Sequence, residues 1–145
     1  MRKIITWLVP PRKADVAMVN SGIAAYCSAN TVSDRDSLRL QVCIEGVFSY
    51  LVQNIRSMKA WNEIRIELFR EDAEVKVVMQ HCGPGGEWDQ ALKADSSIQI
   101  RRTSFESMGL FIAHDMLHDL TYDSWFDLGS GNCTRVYDLI YKLSQ

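Results

Sequence analysis

The sequence lacks the features that mark several classes of protein. No apolar run approaches the roughly 20 residues that a transmembrane helix needs. The formal net charge of −2 gives no reason to expect nucleic acid or an anionic membrane as a partner. Repeats and low-complexity tracts are absent too. The remaining composition is that of an ordinary globular protein, and 145 residues predict one domain, residues 1–145, with its own core.

Cysteines are few, and no two of them form a CxxC pair. The four lie far apart within apolar or glycine-rich runs, as small buried residues do. The apolar N-terminal stretch MRKIITWLV lacks the small-residue cleavage site of a secretory signal, and Pro10 and Pro11 end it as they would end a strand. We therefore predict reduced thiols, a cytoplasmic location and a first β-strand.

Two helices are predicted after this strand. Residues 14–29 carry apolar residues at helical spacing. The second helix covers residues 34–55, and Ser33 followed by Asp36 indicates its capped start. Its apolar stripe consists of Leu40, Ile44, Val47, Leu51 and Ile55. Both helices should place one face on a core.

A polar row follows a different face of the second helix. Glu45, Ser49 and Gln53 stand four residues apart, so their side chains stack along the helix. On a largely buried helix such a row either faces solvent or lines a cavity, and the spacing leaves both possibilities open.

The second half of the chain predicts strands around a lid. Alternating apolar residues at 64–68 and 75–79 predict a β-hairpin, and a weakly periodic polar stretch at 87–107 predicts a lid loop. Helicity resumes at Met108, and strands are predicted around residues 122–128 and 134–143. The order β-α-α-β-β-lid-α-β-β predicts an α+β two-layer sandwich, a mostly antiparallel mixed sheet with helices on one face.

Four landmarks in this order are those of one protein family. A helix carries Glu45 and a polar residue one turn on, a strand ends in HCGPG, Gly109-Leu110 follow a lid, and a glycine-rich hairpin precedes Thr134. This order resembles that of the GHKL (histidine-kinase-like) ATPases. Within them the chain looks most like the anti-sigma-factor serine/threonine kinases of bacterial partner-switching systems. The resemblance covers about residues 4–143 and implies a Bergerat-type, histidine-kinase-like ATPase domain.

The first family motif is kept in part. The family has E-A-x-x-N-A-x-x-H, whereas this chain reads EGVFSYLVQ. The resemblance implies that Glu45 is the catalytic base. Ser49 stands where an Asn holds Mg²⁺, and Gln53 stands at the His position. A serine offers one oxygen to Mg²⁺ but is shorter than Asn, so the implied metal and cofactor site at Ser49 is altered.

The second motif, D-x-G-x-G in the family, reads HCGPG. Gly83 and Gly85 match, and glycines there would let a purine lie against the chain. His81 replaces the Asp that accepts the adenine amino proton. A neutral imidazole has one acceptor nitrogen, and a protonated one has none. His81 therefore either contacts the nucleotide or is a loop-end histidine satisfied by the backbone.

The last two motifs concern the phosphates and the adenine. G-x-G-L reads SMGL, which keeps Gly109 and Leu110 and has Ser107 for the first glycine. In the family this turn receives phosphates through backbone N–H groups and the helix N-terminus. Thr134 in GNCTRV matches the threonine that supports the adenine site.

The resemblance implies two alternative functions. One is an ATP- and Mg²⁺-dependent protein serine/threonine kinase that regulates a bacterial partner-switching system. The other is a non-catalytic module that has lost ATP binding and acts by contact alone. Either would bind a regulatory protein of the anti-sigma antagonist or sigma factor type and could form a homodimer, and neither predicts nucleic acid or membrane binding.

A third class rests on the run AHDMLHDL. His114 and His118 stand four residues apart, a spacing at which two histidines on a helix can share a zinc ion if a third ligand is supplied. No general-base Glu lies between them. The alternative is a solvated helix face.

Overall fold

The computed structural model describes residues 1–55, 63–93 and 105–144, without the side chains of residues 105–107. The helices are α1 (Val16–Ala29), α2 (Asp34–Ile55), α3 (Asp89–Lys93) and α4 (Phe105–Met116), and a 3₁₀ turn, Lys13–Asp15, precedes α1. The strands are β1 (Arg2–Val9), β2 (Ile64–Glu71), β3 (Glu74–Cys82), β4 (Asp119–Phe126) and β5 (Cys133–Lys142). The predicted order of strands and helices and the α+β class are confirmed.

The five strands form one sheet in the order β1-β2-β3-β5-β4. All four pairings are antiparallel, so the described strands contain no parallel pair and the mixed character expected of the sheet is not seen. The central strand β3 alternates buried and half-buried residues, as a strand with one covered face does. Its buried positions are Val75, Val77, Met79 and His81. The sequence alternation therefore identified the face that meets the helices.

Helix α2 forms the centre of the helical layer. All five residues of its predicted apolar stripe are buried. The backbone N–H of Asp36 donates to Ser33 Oγ at 3.1 Å, which is the predicted cap of the first turn. Among the described helices none is both long and apolar enough to cross a membrane, although α2 has 22 residues.

Helices α2 and α4 run antiparallel and cross closely. Gly46 faces Gly109, and farther along the pair Cys43 Sγ lies 4.0 Å from the carbonyl oxygen of Ala113. A Cβ on Gly46 would collide with the carbonyl group of Gly109, so this crossing requires a glycine on α2. Gly109 therefore lies inside a helix that begins at Phe105, three residues before the predicted start at Met108.

The predicted lid contains a helix. Asp89–Lys93 forms α3, and Asp89 and Leu92 are buried, so this part of the 87–107 stretch is packed against the domain. Residues 94–104 lie outside the described residues. All four cysteines are free, in agreement with the prediction of reduced thiols.

Candidate functional site

Glu45 and Ser49 border a cavity of about 380 Å³ between α2 and α4. Glu45 is exposed and Ser49 is half-buried, so the polar row on α2 faces solvent and lines a cavity at once. The other lining residues are Lys13, Val42, Gly46, Met108, Gly109 and Ile112. The structure thus brings together three of the site residues expected from the sequence: Glu45, Ser49 and Gly109.

The remaining expected site residues lie elsewhere. Gln53 is exposed on α2, one turn beyond Ser49, and Leu110 is fully buried in the core. Thr134 pairs with Cys82 across β3 and β5, and its Oγ1 lies 3.7 Å from Cys82 Sγ. None of these three borders the cavity. Their nucleotide-binding roles stay predictions.

The glycine-rich loop after β3 packs tightly against side chains. A Cβ on Gly85 would lie 2.5 Å from Asp89 Oδ2 and 2.7 Å from Arg135 Nη1. A Cβ on Gly86 would collide with the hydroxyl of Tyr50. Gly83 has a φ of 135°, which side-chain-bearing residues rarely adopt, so the chain bends there only with glycine. A side chain at Gly85 or Gly86 would therefore collide with these neighbours, while the other side of Gly85 is exposed to solvent.

A buried hydrogen-bond network holds this loop. Asp89 Oδ1 accepts from the hydroxyls of Tyr50 at 2.8 Å and Tyr137 at 2.7 Å, and Oδ2 accepts from the Gly86 N–H at 2.8 Å. We refer to Tyr50, Asp89 and Tyr137 as the Asp89 cluster. Burial raises the pKa of both tyrosines well above the ordinary value, and the Asp89 carboxylate raises it further. Both hydroxyls therefore keep their protons and donate.

Arg135 ties the same loop to the sheet. Its Nε donates to the carbonyl oxygen of Gly83 at 2.6 Å, and its Nη1 donates to the Tyr122 hydroxyl. The Gly83 N–H in turn donates to the carbonyl oxygen of Cys133 at 3.1 Å. One guanidinium thus joins β4, β5 and the loop, which holds the loop against the sheet.

His81 points into the core, with a relative exposure of 2%. Its ring stacks with that of Tyr137, with centroids 6.2 Å apart and planes 6° from parallel. Neither ring nitrogen has a hydrogen-bond partner among the described residues. Burial lowers the pKa of His81, and the positive charge of Arg135 lowers it further, against the backbone of Cys82 and the Asp89 carboxylate. The imidazole is therefore held neutral beside the Asp89 cluster.

No group of three or more His, Cys, Asp or Glu side chains that could hold a metal ion is found within residues 1–55, 63–93 and 105–144. Helix α4 ends at Met116, so His118 lies beyond it, where its N–H donates to the carbonyl oxygen of Ile140. His114 and His118 are thus not two residues of one helix face. Ser49, the expected Mg²⁺ ligand, has Glu45 as the one carboxylate beside it in the lining of the cavity.

The fold is an open five-stranded antiparallel sheet with helices on one face, and it is shared with a solved structure. The chain is similar to one in the crystal structure of the SiaB–SiaC complex from Pseudomonas aeruginosa, with a TM-score of 0.70 and 10% sequence identity. The match covers 96% of this chain and 91% of that chain. At this identity the likeness shows the fold. No protein-family model matches the chain, and no curated protein matches it.

Sequence reasoning missed the residues that close the loop. Asp89 fell in a stretch predicted as a lid, and Tyr50 follows Ser49 on the buried side of α2. The signal that could have identified Asp89 is its position at the start of a short helix directly after Gly-Gly, a place where a carboxylate can accept from backbone N–H groups.

Proposed function

We propose that this protein is a regulatory protein of a bacterial partner-switching system that acts by binding a partner protein, without nucleotide chemistry. The observation that carries the proposal is the closed glycine-rich loop. Of the two glycines that the resemblance assigns to a purine, Gly85 packs against Asp89 and Arg135, and the carbonyl oxygen of Gly83 accepts from Arg135. A loop held by hydrogen bonds to protein side chains supports a role other than nucleotide binding.

Two further observations support a contact role. The acceptor expected for adenine is His81, which is buried against Tyr137 instead of facing a cavity. The chain that shares this fold was crystallised in a complex, SiaB–SiaC. A fold that occurs in such an assembly and a loop held by buried hydrogen bonds both favour binding over catalysis.

The first test is calorimetric titration of the purified protein with Mg-ATP and Mg-ADP. We expect no binding at concentrations up to the millimolar range, because His81, which stands where the family's Asp accepts the adenine amino proton, is buried against Tyr137. A dissociation constant in the micromolar range would overturn the proposal.

The second test is affinity purification from the cells that encode the protein, with and without enzymatic removal of ATP. We expect one protein to copurify in a fixed ratio and to remain bound after ATP is removed. Release on ATP removal would show that the contact depends on nucleotide and would contradict the proposal.

A second candidate is the ATP- and Mg²⁺-dependent serine kinase, with Glu45 as base. The observation that favours it is that Glu45, Ser49 and Gly109 border one cavity. Transfer of labelled phosphate from ATP to the copurified partner, lost in Glu45→Ala, would establish it. Absence of transfer would leave contact as the mode of action.

A further inference from the structure

One face of the α2–α4 pair is apolar along its middle and exposed. Met108 and Ile112 of α4 lie beside Val42 along the lining of the 380 Å³ cavity. Leu38 precedes Val42 by one turn, so its side chain continues the same row. The relative exposures are 61% for Leu38, 42% for Val42, 36% for Met108 and 38% for Ile112. We call this surface the α2–α4 groove; a row of exposed apolar residues on paired helices is typical of a surface that another protein covers.

Three cations lie at one end of this groove. Arg35, Arg39 and Lys142 line a second cavity of about 250 Å³, together with Met116 at the end of α4. Arg35, Arg39 and Val42 follow one another at intervals of four and three residues, so the cations and the apolar row share one face of α2. Within the described part of the chain, none of the three cations has an acidic side chain within ion-pair distance.

The carboxylate of Asp36 lines the same cavity as the three cations, but it already accepts hydrogen bonds from other groups. Asp36 accepts from the Tyr141 hydroxyl at 2.7 Å and from the N–H and hydroxyl of Ser144 at 2.9 and 2.7 Å. Burial by itself would raise the pKa of Asp36, but these hydrogen bonds hold it below the ordinary value. On α4, the carboxylate of Asp115 lies 3.9 Å from His114 Nδ1 and pairs with none of the three cations.

Arg39 adds an observation that points to a missing partner. Its Nε is buried and has no hydrogen-bond acceptor among the described residues. A buried donor without an acceptor costs free energy, and an arriving carboxylate would remove that cost. The opposite end of the groove carries Lys13 and Glu45, so among the described lining residues the excess of positive charge lies at the Arg35 end.

We propose that the α2–α4 groove binds an amphipathic helical segment of a partner protein, whose apolar side chains cover Val42 and Ile112 and whose carboxylates lie at the Arg35 end. The proposal rests on the partner-binding function proposed above. Arg35 and Ser49 of α2 are 14 positions apart, which is roughly 21 Å at 1.5 Å per residue. A partner helix of about four turns would cover this length, in the manner of a helix lying in an apolar groove.

The test uses two synthetic helical peptides of about 15 residues with the same leucine stripe. One carries three glutamates in its first turn and the other carries three lysines. Binding is followed by fluorescence anisotropy at low salt. Because three surface ion pairs together give about tenfold in affinity, we expect the glutamate peptide to bind about tenfold more tightly than the lysine peptide.

Three variants locate the binding. Val42→Asp places a charge in the middle of the groove and should abolish binding of both peptides. Arg35→Glu should remove most of the preference for the glutamate peptide. Arg2→Glu makes the same change of charge on the edge strand β1 and should leave the preference intact. Arg35, Val42 and Arg2 are exposed, so these variants should fold, which circular dichroism checks.

Each other outcome overturns the proposal. Equal affinity for the two peptides would show that the cations do not select the occupant. Binding that survives Val42→Asp would place the peptide elsewhere. No binding at millimolar peptide would show that the groove takes no such helix.

The experiments distinguish a failure of the groove proposal from a failure of the proposed function. Micromolar binding of Mg-ATP with an intact peptide preference would overturn the contact-only function and leave the groove. A copurified partner that is insensitive to Val42→Asp, with no peptide preference, would leave the function and overturn the groove.

Discussion

Ser49 and Tyr50 are neighbours in the chain, yet they belong to two regions of opposite character. Ser49 borders the open α2–α4 groove, whereas Tyr50 donates to Asp89 beneath the glycine-rich loop. One region exposes apolar side chains and, at one end, Arg35, Arg39 and Lys142, which have no acidic partner among the described residues. The other buries polar atoms and satisfies most of them. The resemblance assigns residues of both regions to one nucleotide site, and the structure separates them into a surface and a piece of core.

The difference shows where substitution is tolerated. We call the Asp89 cluster and the glycine-rich loop the closed region. Each polar group there depends on another, because a buried donor or acceptor without a partner is destabilising. At the exposed positions of the groove, such as Leu38 and Val42, the side chains meet solvent, so a substitution there changes what can bind and little else. Stability measurements in the closed region and binding measurements in the groove should therefore report on separate properties.

The largest effect is expected from Asp89→Ala. The change leaves the Tyr137 hydroxyl and the Gly86 N–H without their acceptor and removes one bond of Tyr50. We expect urea unfolding to show a loss of about 4 kcal/mol in the free energy of unfolding. The control is Asp123→Ala on the same domain, whose carboxylate is exposed and should cost less than about 0.5 kcal/mol. A loss under about 1 kcal/mol for Asp89→Ala would mean that the network does not hold the loop.

A smaller effect is expected at the crossing between the two helices. Gly46→Ala places a methyl group against the backbone of Gly109, and we expect a loss of about 2–3 kcal/mol. Gly109→Ala is the matched control, because its Cβ would lie 3.1 Å from Gly46 Cα and can be accommodated by a small shift. The gain of about 1 kcal/mol from replacing a helical glycine should bring that variant close to wild type. Equal losses in the free energy of unfolding of the two variants would show that the crossing restricts both glycines to the same extent.

The closed region should also weaken in acid through His81. Its pKa is lowered in the folded protein, so the unfolded chain takes up this proton first as the pH falls below the ordinary value of 6.5. The free energy of unfolding should therefore fall as the pH is lowered from 7 to 5. The contribution of neutral His81 to stability is fully present above the pKa that this residue has in the unfolded chain. His81→Gln should flatten this part of the profile, whereas His114→Gln, which changes a partly exposed imidazole, should keep it. A profile unchanged by His81→Gln would contradict the assignment.

The sequence predicted the parts of the fold that repeat at short range. Helix α2 was placed at residues 34–55, as observed, because its apolar residues recur every three or four positions and Ser33 caps its first turn. The strand alternation placed β2 and β3 in the same way. The boundary of α4 was missed because Gly109 suggests a turn, whereas the structure places Gly109 inside the helix at the crossing with Gly46.

The closed region could not be predicted because its members are far apart in the chain. Tyr50 and Asp89 are 39 residues apart, and Asp89 and Tyr137 are 48 apart, so no local period links them. The sequence predicted one side of the groove, the polar row on α2. The exposed apolar residues of α4 were not predicted to lie beside it, because their position follows from the antiparallel packing of the two helices. Motif matching identifies positions in the chain. Whether those positions form an open cavity or are buried depends on contacts between distant segments.

The smallest change in the free energy of unfolding is expected from Glu45→Gln. This variant tests the comparison between the groove and the closed region most directly. Asp89→Asn is the same replacement of a carboxylate by an amide, made in the closed region. The amide at position 89 keeps one acceptor oxygen but brings an N–H₂ group to a site that receives three donors, so we expect a loss of about 2 kcal/mol. Glu45 is exposed at the rim of the groove, so its replacement should change the free energy of unfolding by less than about 0.5 kcal/mol. Both variants would be unfolded in urea under identical conditions. Losses of similar size would mean that Glu45 is held by interactions like those of Asp89, and the division into an open surface and a buried network would then fail at Glu45.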